Sequence, residues 1–131
     1  MIVQHIYLED YDWSIKAFFA DDLSKNEEVI DAMEIMGCSE KEMASIEKMI
    51  MSGNKNNGFT YSDYDMMSTI IYIGPTTSVE EFQNTFDHEK GHAAIHIASY
   101  YDIDPYDEEY QYLAGEIGER LFDVAKLFIC K

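Results

Sequence analysis

Basic residues are scarce in this sequence. Nine Lys and Arg stand against 26 Asp and Glu, a formal net charge of -17 over 131 residues. That balance excludes the ordinary nucleic-acid binder, whose phosphate contacts need a basic footprint. It also disfavours an anionic membrane surface as partner. Proline occurs only twice, and no Pro- or Ser-rich linker divides the chain. The two cysteines, Cys38 and Cys130, lie far apart with no CxxC pattern, so both read as buried free thiols. No apolar run approaches the roughly 18 residues that a membrane span needs. The opening Met-Ile-Val-Gln-His-Ile-Tyr-Leu has no basic region and reaches Glu9 and Asp10 at once, unlike a secretory signal. The expected location is cytoplasmic.

What is present argues for a folded core. At 47% hydrophobic and 14% aromatic residues the chain is too apolar to be disordered despite its charge. Its length suits one domain spanning residues 1–131. Ile2–Leu8 and residues 13–20 are rich in β-branched and aromatic residues and predict two strands, with residues 9–12 as the turn of a hairpin. Asn26 is a candidate cap for a helix carrying Val29, Ile30, Met33 and Met36, which Gly37 ends. Ser39 with Glu42 forms a capping box for a second helix with Met43, Ile46, Met49 and Ile50 at helical spacing. These methionines read as core filler.

The polar stretch at residues 52–58 predicts a loop. Residues 59–61 and Ser68–Ile73 predict two more strands, the second ended by Gly74-Pro75. Ser78 with Glu81 caps a helix running to about residue 100. Asp104-Pro105, followed by Asp107, Glu108 and Glu109, predicts the start of the last helix, with Asp104 as its cap. Leu113, Ile117, Leu121, Val124 and Phe128 form its apolar stripe. The order β-β-α-α-β-β-α-α predicts an α+β fold, a small antiparallel or mixed sheet of about four strands with four helices.

Chemistry concentrates at His88-Glu89-Lys90-Gly91-His92, an H-E-x-x-H pattern in the middle of the third predicted helix. At this composition chance supplies about 0.01 such patterns. Residues four apart lie one turn apart on the same helix face, so His88 and His92 are spaced to grip one Zn²⁺. Glu89 would then stand beside the open position as general base. A catalytic zinc needs a third protein ligand. The H-E-x-x-H-x-x-G-x-x-H arrangement is excluded, because Ile95 and Ala98 stand where its glycine and third histidine belong. His96 continues the row, but His88, His92 and His96 span about 12 Å along a straight helix, too far for one ion. His96 therefore reads as a core residue or an outer-shell partner.

Glu108, Glu109, Glu116 and Glu119 on the last helix are the carboxylate candidates. Carrying the apolar stripe back by 3.6 residues places Glu109 about 40° from its centre, Glu116 about 100° and Glu108 about 140° away. Glu109 is thus the expected third ligand; the opposing reading is an acid favoured by the helix dipole. Gly115 and Gly118 suggest close helix packing, with Gly91 as the facing residue. Ser68–Ile73 reads equally as an ordinary core strand or as a sheet edge able to add a substrate peptide. Tyr61, Tyr64, Tyr100, Tyr101 and Tyr112 are each capable of donating to an oxyanion.

The motif followed by a glutamate on the next helix resembles the zincin metallopeptidases with a glutamate ligand, the gluzincin-like kind. A wider likeness takes in residues 57–62, residues 78–85, His88 to His92, His96-Ile97 and residues 108–117. Together these resemble small zinc metallopeptidases carried by bacteriophages and prophages. The resemblance implies a zincin core with the active helix packed on a small sheet and one supporting helix. It implies His88 and His92 as ligands, Glu89 as base, and a glutamate of the Glu108-Glu109 pair as third ligand. The expected function is zinc-dependent hydrolysis of a peptide or protein substrate. The rival expectation is a non-catalytic acidic protein that mimics DNA or occupies a basic partner.

Overall fold

A computed structural model describes residues 1–21 and 27–130. Asn26, the expected cap of the first helix, lies outside them. Strands β1 (Ile2–Leu8) and β2 (Trp13–Phe19) pair antiparallel, joined by a 3-10 turn at Glu9–Tyr11 that Asp12 closes in the left-handed region at φ 48°. Two helices follow, α1 (Glu27–Ile35) and α2 (Glu40–Met51). Gly37, at φ 75°, ends the first: its amide bonds the Glu34 carbonyl and the Cys38 amide bonds Met33, a Schellman closure. Ser39 caps the second, accepting from the Glu42 amide at 3.2 Å. Strands β3 (Gly58–Asp63) and β4 (Ser68–Ile73) pair antiparallel, and helices α3 (Val79–Tyr100) and α4 (Glu108–Ile129) complete the chain.

The sheet order is β1-β2-β4-β3, with β2 and β4 parallel. The α+β class and the four-strand, four-helix count match the expectation from sequence. The central strands explain their own composition. On β2, Trp13, Ile15, Ala17 and Phe19 join one buried cluster with residues of α3 and α4, while Phe18, with Ala20 just past the strand, joins another with α1 and Ile50 of α2. On β4, Ile71 and Ile73 go to the first cluster and Ile70 and Tyr72 to the second. A strand covered on both faces reads as a near-continuous apolar run. Ser68–Ile73 is therefore a core strand. The edge beside the third helix is β3.

One helix start differs from expectation. The last helix begins at Glu108 with Asp107 at its cap position, not at Asp104. The Asp104 carboxylate accepts from the Tyr106 amide at 2.9 Å and its carbonyl from the Asp107 amide at 3.0 Å, so a local turn takes the groups that helix capping would use. Among the described residues no helix is long and apolar enough to cross a membrane.

Cys38 and Cys130 are both free thiols, but neither is fully buried as expected: Cys38 is half-buried, and Cys130 is exposed just past the end of α4. Burial, and then the neighbouring Glu42 charge, pushes the Cys38 thiol up to about 11. Since the thiolate is the reacting form, roughly one part in a thousand of Cys38 is reactive at about pH 8. Iodoacetamide at that pH should alkylate the exposed Cys130 first, with the Cys38 rate still climbing toward pH 11, as read by peptide mass mapping. Equal rates at pH 8 would contradict this environment for Cys38.

Candidate metal and hydrolytic site

Helix α3 is placed by its first turn. Ser78 accepts from the Glu81 amide at 3.0 Å, and Asn56 ties the preceding loop to the same end through the Thr77 amide at 2.9 Å. Thr85, Phe86, Glu89, Ala93 and Ala94 are buried beneath the helix. At 100° per residue, Glu89 lies about 100° round from His88, His92 about 40° and His96 about 80°. The first and third of these therefore turn toward the sheet while the histidine pair stays outside. His88 and His92 are exposed, His96 is half-buried and Glu89 is 5% exposed.

The His88 and His92 rings meet edge to face, and their Nε2 atoms lie 3.1 Å apart. Two nitrogens bound to one tetrahedral ion at 2.0–2.1 Å would lie about 3.3 Å apart. The pair is thus already convergent. Beneath it, Thr60 of β3 holds Glu89 in place. Its hydroxyl lies 2.8 Å from Glu89 Oε1 and 2.9 Å from the Glu89 carbonyl oxygen. Asn56, Asn57, Gly58, Asn84, Thr85, His88 and Glu89 line a polar cleft of about 280 Å³, so acid and imidazole open onto the same space.

The expected third ligand is not brought here. Glu108 and Glu109 are exposed in the first turn of α4. Tyr110, packed against the core, takes the inward position that carrying the stripe backward assigned to Glu109. Burial raises the Tyr11 pKa, and the Glu109 charge adds to that, which places Glu109 on the side of the β1–β2 turn. Among the described residues no group of three His, Cys, Asp or Glu side chains is set to hold an ion. Glu116 is half-buried and pairs with Arg120 at 3.5 Å, and Glu119 is exposed.

The glycines also differ from expectation. Gly91 and Gly115 have open space where a Cβ would stand. Of these three helical glycines, Gly118 alone meets a close neighbour, the Lys90 side chain, which also pairs with Asp87 at 3.2 Å. His96 packs against β3, its Nδ1 2.7 Å from Ser62 Oγ. Burial, and then the His92 charge, lowers its pKa. Of the candidate tyrosines, Tyr64 packs against this row, its ring centre 6.3 Å from that of His96. The Tyr101 hydroxyl instead donates to the Tyr11 carbonyl, and Tyr112 is exposed on α4.

Sequence reasoning placed a strand at residues 59–61, which β3 bears out, but missed that it lies beneath the motif. Gly58, Thr60 and Ser62 alternate along β3, and all three meet α3. The signal was that alternation of small and polar residues on a strand close in sequence to the motif helix. Compared with known proteins, the chain matches no family model, no curated protein and no solved structure.

Gly58 is the tightest point. A Cβ there would stand 2.6 Å from the Tyr72 carbonyl oxygen and 2.9 Å from Glu89 Cγ. Gly58→Ala should destabilise the protein by about 1–3 kcal/mol through overpacking. Gly115→Ala, on an exposed helical site, should stabilise it by up to about 1 kcal/mol. Urea unfolding of both variants reads the difference; an unaffected Gly58→Ala would show that β3 yields freely under Glu89.

Proposed function

We propose that this chain is a zinc-dependent hydrolase of peptide bonds, built on a zincin-like core. The observation that carries the reading is the 3.1 Å convergence of the His88 and His92 Nε2 atoms beside a buried Glu89. His88 and His92 would hold the ion. A zinc ion there supplies Lewis acidity, lowering the pKa of water to about 7 and polarising a carbonyl.

The remaining steps belong to the chain's own residues. Glu89, opening onto the same cleft as His88, takes the proton of the attacking water at its carboxylate and returns it to the leaving amine. Thr60 fixes the orientation of that carboxylate, so the acceptor does not need to be found by rotation at the moment of reaction. The polar cleft under Asn57 and Asn84 offers carboxamide groups to the substrate backbone. Among the described residues no third His, Cys, Asp or Glu side chain joins the two imidazoles. Glu108 and Glu109 remain the acids to test as third ligand.

The net charge of -17 favours a second reading, an acidic protein that occupies a basic partner, in which the histidine pair plays no part. Capture of a DNA-processing enzyme, competed by DNA and lost at high salt, would support it.

Zinc content and turnover separate these readings. Protein purified without chelators should carry about one zinc per chain. His88→Ala and His92→Ala should lose affinity by more than the roughly 10–100-fold that an outer partner contributes. Glu89→Gln should keep the metal and abolish cleavage of a quenched-fluorescent peptide mixture. An equal loss of zinc affinity in Glu109→Ala would show that the α4 acid swings in to ligate. Full activity in Glu89→Gln would end the base assignment.

A further inference from the structure

Four side chains that the proposed hydrolysis does not use form one line of hydrogen bonds ending beside the histidine pair. Trp13 Nε1 donates to Thr69 Oγ1 at 2.8 Å. Thr69 Oγ1 lies 2.7 Å from Ser62 Oγ, and Ser62 Oγ lies 2.7 Å from His96 Nδ1. The direction of this line follows from its buried end. An indole nitrogen only donates, so Thr69 Oγ1 accepts from Trp13. Thr69 is 1% exposed, and among the described residues Ser62 Oγ is the one partner left for its proton. Thr69 therefore donates to Ser62, and among the described residues His96 Nδ1 is the one acceptor for the Ser62 proton, so the line is completed when half-buried Ser62 donates to it and not to water. The reverse order would leave the Thr69 proton enclosed without an acceptor, which is the expensive outcome for a buried hydroxyl.

With Nδ1 accepting, the proton of the neutral ring is on Nε2, at the far side of the imidazole from Ser62. The ring centre is 6.3 Å from that of His92. We infer that His96 is locked by Trp13, Thr69 and Ser62 as the Nε2–H tautomer, a hydrogen-bond donor to the substrate carbonyl beside the His88–His92 pair and not a metal ligand. The inference rests on the hydrolase reading for the identity of the acceptor; the tautomer itself does not. Such a donor, fixed before reaction, stabilises negative charge as it develops on a carbonyl oxygen. The arrangement places the donor on the same helix as the proposed ligands, so a straight, rigid segment sets their mutual spacing.

Long-range proton–nitrogen NMR of the imidazoles in the metal-free protein tests the lock directly. His96 should show the Nε2–H form alone. Ser62→Ala, and independently the near-isosteric Thr69→Val, should release it to a mixture of tautomers. A wild-type spectrum with the proton on Nδ1, or no change in either variant, would overturn the inference. The donor role is then read in zinc-loaded protein with the quenched-fluorescent peptide mixture. His96→Ala should keep the zinc stoichiometry and lose about 10²–10³-fold in kcat, and His96→Gln, which retains an N–H donor, should recover part of it. Loss of zinc in His96→Ala would make this residue a ligand and overturn the inference, as would an unchanged kcat. Wild-type protein that takes up no zinc would sink the hydrolase reading and the substrate-donor role with it, while the NMR spectrum would still decide the tautomer.

Discussion

A carboxylate placed under a helix, against a sheet, is tolerated only when something there gives it a hydrogen bond. Glu89 is the one charged side chain among the fully buried residues described, and the Thr60 hydroxyl is what answers it. The rest of the site follows from that contact. Once residue 89 is turned onto β3, helical geometry turns 88 and 92 to the outside and leaves 96 between, half-sunk against Ser62. The strand must accept this with little bulk. Gly58 lets the backbone of β3 approach Tyr72, Thr85 and Glu89 at once, and Thr60 and Ser62 supply hydroxyls where larger residues would lift the helix. An apolar edge strand would cover the same area but leave Glu89 and His96 unbonded.

Much of the fold was legible because local signals and burial agree. The apolar runs of β2 and β4 reflect cover on both faces, and the Ser39 and Ser78 caps stand where their box sequences put them. The mid-helix position of the H-E-x-x-H pattern follows from the second of those caps. What sequence could not convey is nonlocal. The parallel pairing of β2 with β4 brings Trp13 to Thr69, and no local periodicity encodes which strands become neighbours. The start of α4 failed for a different reason. Asp104 carries the chemistry of a cap but spends it on Tyr106, and the displaced start puts Glu109 in an exposed first turn while Tyr110 fills the inward place. Extending a stripe past its last buried member assumed a core that had already ended.

Charge is handled by geometry more than by pairing. The ion pairs along α3 and α4, Lys90 with Asp87, Arg120 with Glu116 and Lys126 with Asp123, are each local to one helix, and such partly exposed pairs contribute little. Stability therefore rests on the two apolar layers either side of the sheet. Stacked rings, among them Phe82 against Phe128 at 5.0 Å, dominate the α3–α4 side. Acids at the first turns of α1, α2, α3 and α4 sit where the helix dipole favours them. A net charge of -17 is then compatible with a packed interior, because among the described residues Glu89 is the one buried acid.

The three histidines of α3 differ in what holds their protons. For His96 the line from Trp13 is complete when Ser62 donates to its Nδ1. For His88 and His92 the only mutual constraint is the 3.1 Å contact itself, in which one Nε2 must donate and the other accept. A cation between them requires both Nε2 lone pairs, so the shared proton has to leave that contact for an Nδ1 or for solvent. Because both rings are exposed, water can take the hydrogen bonds that the change releases, and the exchange needs no repacking of the helix. The pair is thus free where an ion would demand rearrangement, and the neighbouring ring is fixed where a donor would have to be preset. That contrast comes from one cause, the angle at which α3 lies on β3: it exposes two imidazoles to solvent and commits the third to the sheet.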